Sequence, residues 1–260
     1  MKSTERFSTR VEAYREHRPR YPKAIVELLR RECRLTPEWV VADVAAGTGL
    51  LAEIFLDNGN RVIAVEPNGP MRAACEELRG KYPRLECVDG TAEATGLPDG
   101  AADLVTVGQA MHWFDLEKTR AEFARVLRPG GWCVVVYNHR RMSGDGFHDG
   151  YERLLVEYGG DYRAVQSKHM TDGKLTEFFA PSAMRTAVLP NYQDLTREGL
   201  EGRVLSSSYM PQAGDGKYPA MMDAIVDLFA RYAKDGVVRM EYETAVAWGA
   251  CCEGYDGKID

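Results

Sequence analysis

Residues 43–66 carry an acid, two glycines and a second acid at a spacing that can hold a nucleoside. Asp43 ends the apolar run Val40-Val41-Ala42, and Ala45-Ala46-Gly47-Thr48-Gly49 leads directly into a helical pattern from Leu50. Glycines at such a turn let backbone approach a ligand closely. Val62-Ile63-Ala64-Val65 then forms a second apolar run ending in Glu66. A carboxylate at that place can accept hydrogen bonds from ribose hydroxyls. Gly47-x-Gly49-x-x-Ala52 also fits the dinucleotide pattern, so NAD competes for this loop. Asp43 decides between them. A pyrophosphate seeks backbone N–H groups and the positive end of a helix dipole. A carboxylate feeding that loop repels it and favours a cation. S-adenosylmethionine has an α-ammonium and a sulfonium but no phosphate, and is the expected cofactor. An NAD-dependent oxidoreductase is the rival reading.

Methyl transfer from a sulfonium is an in-line displacement from an activated donor. It needs alignment of the acceptor atom and exclusion of water more than it needs a nucleophilic residue. A base is required only for a hydroxyl or a protonated amine. His112, in Gln109-Ala110-Met111-His112-Trp113, is the best-placed candidate for a general base or an acceptor anchor; the alternative is packing beside Trp113. Trp113, His139 and Tyr209 are candidates for the acceptor pocket. The Arg18 guanidinium is a fixed fork suited to a carboxylate. The five histidines share no ligand spacing with one another or with cysteines, so no metal site is expected.

Strands and helices must position these groups. Strand patterns at 40–44, 61–65, 84–88, 103–107 and 132–137 alternate with helical patterns at 50–58, 70–80, near 92–95, and at 116–127. Such alternation predicts a parallel sheet covered on both faces. Right-handed crossovers put the strand C-termini on one edge, where ligands bind. Asp43, Glu66, Asp89 and Gln109 lie at or just past strand ends, so they converge. Beyond residue 139 the pattern changes to helices near 147–158, 174–179, 195–205 and 218–234, with strands at 184–190 and 237–248. Helically spaced Met221, Met222, Ile225, Leu228 and Phe229 are usual core residues, although some can line an acceptor cavity.

The ordered motifs resemble class I S-adenosylmethionine-dependent methyltransferases. Asp43–Gly49 resembles motif I, and Glu66-Pro67-Asn68-x-x-Met71 the second motif. Asp89-Gly90-Thr91-Ala92-Glu93 with Leu97-Pro98-Asp99 is similar to the third, where the family holds adenine. Ala102–Ala110 is similar to the fourth strand and its loop, and Arg125–Gly131 to the turn before the fifth. Tyr14-x-x-x-Arg18-Pro19-x-Tyr21-Pro22, His112-Trp113-Phe114-Asp115 and Ser206-Ser207-Ser208-Tyr209 resemble a subgroup that includes trans-aconitate methyltransferase-like proteins.

The resemblance implies an α/β fold: a doubly wound, mostly parallel seven-stranded Rossmann-like sheet with an antiparallel last strand and a helical cap. It implies cofactor contacts from Asp43, Ala45, Gly47, Thr48, Gly49, Glu66, Pro67, Asn68, Met71, Gly90, Thr91, Ala92, Gln109 and Ala110. Tyr14, Arg18 and Tyr21 would close the site, with Arg18 on the methionyl carboxylate. The chain departs from the family at Ala45, where glycine is usual. Alanine disfavours positive φ, so either extended backbone or a slightly altered fit is expected there. The implied function is O- or N-methylation of a small molecule, either a carboxylate or a secondary metabolite. A protein that binds S-adenosylmethionine without methyl transfer is the alternative.

Composition bounds the rest. At 260 residues and 45% hydrophobic, the chain can bury one good core with a smaller cap. The expected organisation is a lid and helix at 1–34, a cofactor core at 35–138, cap helices and a sixth strand at 139–236, and a last strand and tail at 237–260, all in one integrated domain. The net charge of −6 argues against nucleic acid and acidic membranes. Residues 1–34 carry +5 and the remainder −11. The basic start is either a solvated helical face or a lid bringing cations to an anionic group. No 18-residue apolar run or apolar signal core is visible. Cys33, Cys75, Cys87, Cys133, Cys251 and Cys252 form neither a zinc pattern nor a disulfide framework. Reduced cytoplasm is the expected location, a small-molecule methyl acceptor the expected partner, and a monomer or homodimer the expected assembly.

Overall fold

The computed structural model describes residues 11–166 and 172–250. Residues 1–10 of the expected lid, the tail at 251–260 and the vicinal Cys251-Cys252 pair lie outside the described residues. A seven-stranded sheet runs in the order β3-β2-β1-β4-β5-β7-β6. Its strands are β1 (Val40–Val44), β2 (Arg61–Val65), β3 (Leu85–Val88), β4 (Ala102–Gly108), β5 (Leu127–Arg140), β6 (Arg185–Leu195) and β7 (Val238–Ala250). The first five pair in parallel, and β7 runs antiparallel to both β5 and β6.

The sequence explains the placement. Every residue of central β1 is buried, as a parallel strand covered on two faces requires. Edge strand β6 instead alternates and leaves Val188 and Tyr192 exposed. Pro190 fits there because an edge position does not need its missing N–H.

Ten α-helices are described: α1 (Val11–His17), α2 (Ala24–Cys33), α3 (Ala52–Asp57), α4 (Gly69–Glu76), α5 (Leu116–Val126), α6 (Gly146–Tyr158), α7 (Tyr162–Gln166), α8 (Asp172–Phe179), α9 (Arg197–Leu205) and α10 (Tyr218–Tyr232). Side-chain caps start four of them. The Asn68, Asp115, Asp145 and Thr196 side chains accept the Met71, Lys118, His148 and Gly199 amides.

One apolar cluster packs on each face of the sheet, and a third lies under the cap around Phe147, Tyr151, Leu200, Met221 and Ile225. The α10 stripe of Met221, Ile225 and Leu228 therefore belongs to that third core.

Three local expectations change. Residues 92–95 form no helix; Thr91 and Ala94 instead make an isolated bridge. The close approach of Gly90 to the Thr95 carbonyl, 2.4 Å from where a Cβ would sit, shapes that tight turn. Strand β5 begins at Leu127, absorbs Arg128–Gly131 through a register shift against β4, and continues to Arg140. Helix α7 was not apparent from the sequence pattern.

Candidate functional site

The strand ends and the cap enclose a cavity of about 560 Å³, within the range of small-molecule sites. Its strand-side wall contains Ala45, Gly47, Glu66, Pro67, Asn68, Met71, Thr91, Ala92, Gln109 and Ala110. Tyr14, Arg18 and Tyr21 close one side, and His112, Trp113, His139 and Tyr209 line the remainder with cap residues. Four expected residues lie behind this wall. Asp43 and Thr48 are buried under the loop. Gly49 backs onto Cys75 and Leu78, and Gly90 onto Thr95.

Glu66 organises the loop. Its Oε2 accepts the Gly47 amide and its Oε1 the Asn68 amide, both at 2.8 Å. Burial raises its pKa, and the two amides oppose that rise. Gly47 has φ 59° and Gly49 φ 86°, a left-handed conformation that favours glycine. Ala45 also has φ 55°. The extended alternative for Ala45 is thus overturned: the loop imposes the glycine-like conformation even without glycine.

Asp43 is 1% exposed. Its Oδ1 accepts from the Thr106 hydroxyl at 2.8 Å, whereas Oδ2 is buried without a hydrogen-bond partner. Burial pushes its carboxyl up to about 7; Thr106 and the Ala52 amide pull it down, and nearby Glu66 adds to the rise. An unpaired buried carboxylate oxygen below the loop is suited to a cationic ligand. The donor set therefore fits an aminoacyl nucleoside such as S-adenosylmethionine better than a pyrophosphate. Among the described residues, no group of three His, Cys, Asp or Glu side chains is placed to hold a metal ion.

Gly108 ends β4 and lies against Tyr21, where a Cβ would come within 2.6 Å of the hydroxyl. Burial raises the Tyr21 pKa well above its ordinary value. On the same edge His112 Nδ1 lies 3.3 Å from the Tyr137 hydroxyl, with the imidazole 4.6 Å from the Trp113 ring. Tyr137 in turn stacks on His139 at 5.7 Å and 14°. Three polar rings thus run along the ends of β4 and β5. Tyr137 was not singled out from the sequence.

Arg18 is held between α1 and the end of α9. Its Nη2 donates to the Ser206 carbonyl at 3.0 Å, its guanidinium lies 5.0 Å from the Tyr14 ring centre, and its Nε is buried without a partner. Burial, followed by the charge of Arg203, lowers its pKa. Helices α1 and α9 come close here because Gly202 lacks a side chain; a Cβ would meet the His17 ring at 2.1 Å. Arg203 and Tyr162 from the cap helices, with Arg140 at the end of β5 and Tyr242 on β7, also line the cavity, and none was anticipated. One signal was available for Arg203: it falls three residues after Leu200 and just before Val204, on the buried face of α9.

Comparison with known proteins agrees with this geometry. A family model described as a methyltransferase domain (Methyltransf_11) matches residues 42–135. An uncharacterized methyltransferase-like protein of Schizosaccharomyces pombe is 28% identical over 245 residues, covering 92% of each chain. An uncharacterized methyltransferase of Mycobacterium tuberculosis is 41% identical over 135 residues, covering 52% of each. A solved structure from Anaeromyxobacter dehalogenans, described as a type II methyltransferase, superimposes with a TM-score of 0.65 at 24% identity. It covers 91% of this chain and 99% of its own; at that identity the likeness concerns the fold.

Proposed function

We propose that the chain is a class I S-adenosylmethionine-dependent methyltransferase that methylates an oxygen or nitrogen atom of a small-molecule acceptor, a reading supported by its similarity to methyltransferases. The observation that carries this reading is the continuity of one cavity from the glycine loop to the cap. Cofactor and acceptor can share that space, closed by Arg18, Tyr21 and the cap. When bound, S-adenosylmethionine supplies an activated methyl group on sulfur.

In this reading Asp43 provides the negative charge for the α-ammonium, and Glu66 has acceptor capacity left for the ribose hydroxyls. Arg18 meets the methionyl carboxylate, relieving its unpartnered Nε. Thr91 and Ala92 border the adenine. The chain's task at the reacting centre is to align the acceptor atom and exclude water. Trp113 and Tyr209 wall the acceptor side, and the His112–Tyr137–His139 row can receive a proton from a hydroxyl or ammonium acceptor. The net charge of −6 supports a small-molecule acceptor over nucleic acid. Among the described residues, no helix is long and apolar enough to cross a membrane.

The test is transfer of radiolabelled methyl from S-adenosylmethionine to a panel of small hydroxylated, amino and carboxylate compounds. Incorporation into one of them, abolished by S-adenosylhomocysteine, supports the proposal. Incorporation only into added protein or nucleic acid contradicts it.

A further inference from the structure

The segment between α1 and α2, from Arg18 to Pro22, carries Arg18 and Tyr21 to one side of the cavity. Pro19 and Pro22 have no N–H, so this strap cannot join a sheet edge by a regular ladder. Side-chain amides hold it instead. Gln193 Nε2 donates to the His17 carbonyl at 3.1 Å, and Asn191 Nδ2 to the Arg20 carbonyl at 2.8 Å. These two carbonyls bracket Arg18. Both donors stand on edge strand β6, at alternate positions and so on one face of the sheet. Neither is among the residues that line the cavity.

The orientation of each amide is fixed by its own oxygen. Asn191 Oδ1 accepts the Tyr192 amide at 2.9 Å, and Gln193 Oε1 accepts the Tyr242 hydroxyl at 2.6 Å. The N–H groups are thereby left for the strap. Asn191 also donates to Asn138 Oδ1 at 3.2 Å, which ties the strap to β5 as well. We infer that Asn191 and Gln193 are positioning residues that latch the strap over the cofactor and so set how fast cofactor enters and leaves. This inference rests on the cofactor reading above, which places S-adenosylmethionine under Arg18 and Tyr21. Both bonds join the chain to itself, so they favour the closed strap whether the site is empty or filled. Their loss should therefore speed entry and exit by the same factor and leave equilibrium affinity nearly unchanged. A residue that only builds the wall would instead speed exit at the expense of affinity.

The experiment follows tritiated S-adenosylmethionine on the full chain by rapid filtration. Uptake gives the association rate, and a chase with excess S-adenosylhomocysteine gives the dissociation rate. Asn191→Ala and Gln193→Ala should each speed both rates about fivefold, the share of one net hydrogen bond, with affinity within about twofold. Retained affinity also reports that the variants fold. Gln193→Glu keeps an acceptor for Tyr242 but has no N–H for the His17 carbonyl, so it should exchange at least as fast as Gln193→Ala. The inference is overturned if both alanine variants exchange at the wild-type rates, if faster dissociation comes with a proportional loss of affinity, or if Gln193→Glu exchanges like wild type. Failure of the wild-type protein to bind S-adenosylmethionine would sink the cofactor reading itself, and this inference with it.

Discussion

Glu66 accepts the backbone amide of Gly47 at 2.8 Å, tying the end of β2 to the turn that follows β1. The same carboxylate accepts the Asn68 amide, so both oxygens already shape the cofactor wall before any ribose arrives. Glu66→Ala should therefore lose more than a ribose contact. Hydrogen bonds to a charged group contribute about 1.5–3 kcal/mol, which corresponds to a loss of roughly tenfold or more in S-adenosylhomocysteine affinity. Glu66→Gln should fall between wild type and Ala. Calorimetry on the three proteins checks the order; equal affinities would remove Glu66 from the site.

Asp43 predicts a pH dependence. Burial holds its carboxyl at about 7 in the folded chain, against about 3.9 when unfolded. Between those values the folded state binds the extra proton, so stability without cofactor should fall as pH rises from 4 to 7. Asp43→Asn should flatten that slope and melt higher than wild type at pH 8. Cofactor affinity should do the opposite. An ionised Asp43 suits an ammonium, so wild-type affinity should rise with pH up to about 7 and level off above it, and the variant should bind weakly throughout. Melting curves and titrations from pH 5 to 9 check both signs. A stability slope unchanged in the variant would show that Asp43 is not the titrating group.

Ala45 occupies a left-handed conformation that its Cβ disfavours. Glycine there should relieve the strain but add freedom to the unfolded chain. The net expectation for Ala45→Gly is a gain of about 0.5–1 kcal/mol in denaturant unfolding, with cofactor affinity preserved. A loss of stability would mean that the Ala45 methyl contributes packing on the cavity wall that outweighs the strain.

The parallel half of the sheet was legible because buried strands such as Val40–Val44 read as apolar runs, and because Asp43 and Glu66 mark strand ends. The cap was legible only as helices. Its contribution to the cavity depends on which helix face meets the opening, and no local motif reports that. Arg203 shows the gap: its place beside Leu200 and Val204 hints at a buried position on α9, but nothing local reports that it meets the cavity. The turn at Thr91–Thr95 was misread as helical because its shape is set by the tertiary approach of Gly90 to the Thr95 carbonyl, not by local propensity. The likeness to trans-aconitate methyltransferase-like proteins rests on the sequence motifs alone.

His112 and Tyr137 lie 3.3 Å apart beside Trp113. If the acceptor atom carries a proton, His112→Ala should lower kcat about 100-fold, the lower end of general acid–base contributions, with cofactor affinity within twofold. Tyr137→Phe should lower it less. Single-turnover rates with the identified acceptor separate the step from product release. Unchanged rates in both variants would assign the pair to packing.

The central claim is that the loop below Gly47 and above Asp43 takes a cationic nucleoside. Its most direct test is parallel calorimetric titration with S-adenosylmethionine, S-adenosylhomocysteine and NADH. The account predicts binding of the first two in the micromolar range and none of NADH. Binding of NADH alone would contradict it, because a pyrophosphate would then be sitting where the buried Asp43 carboxylate should repel it.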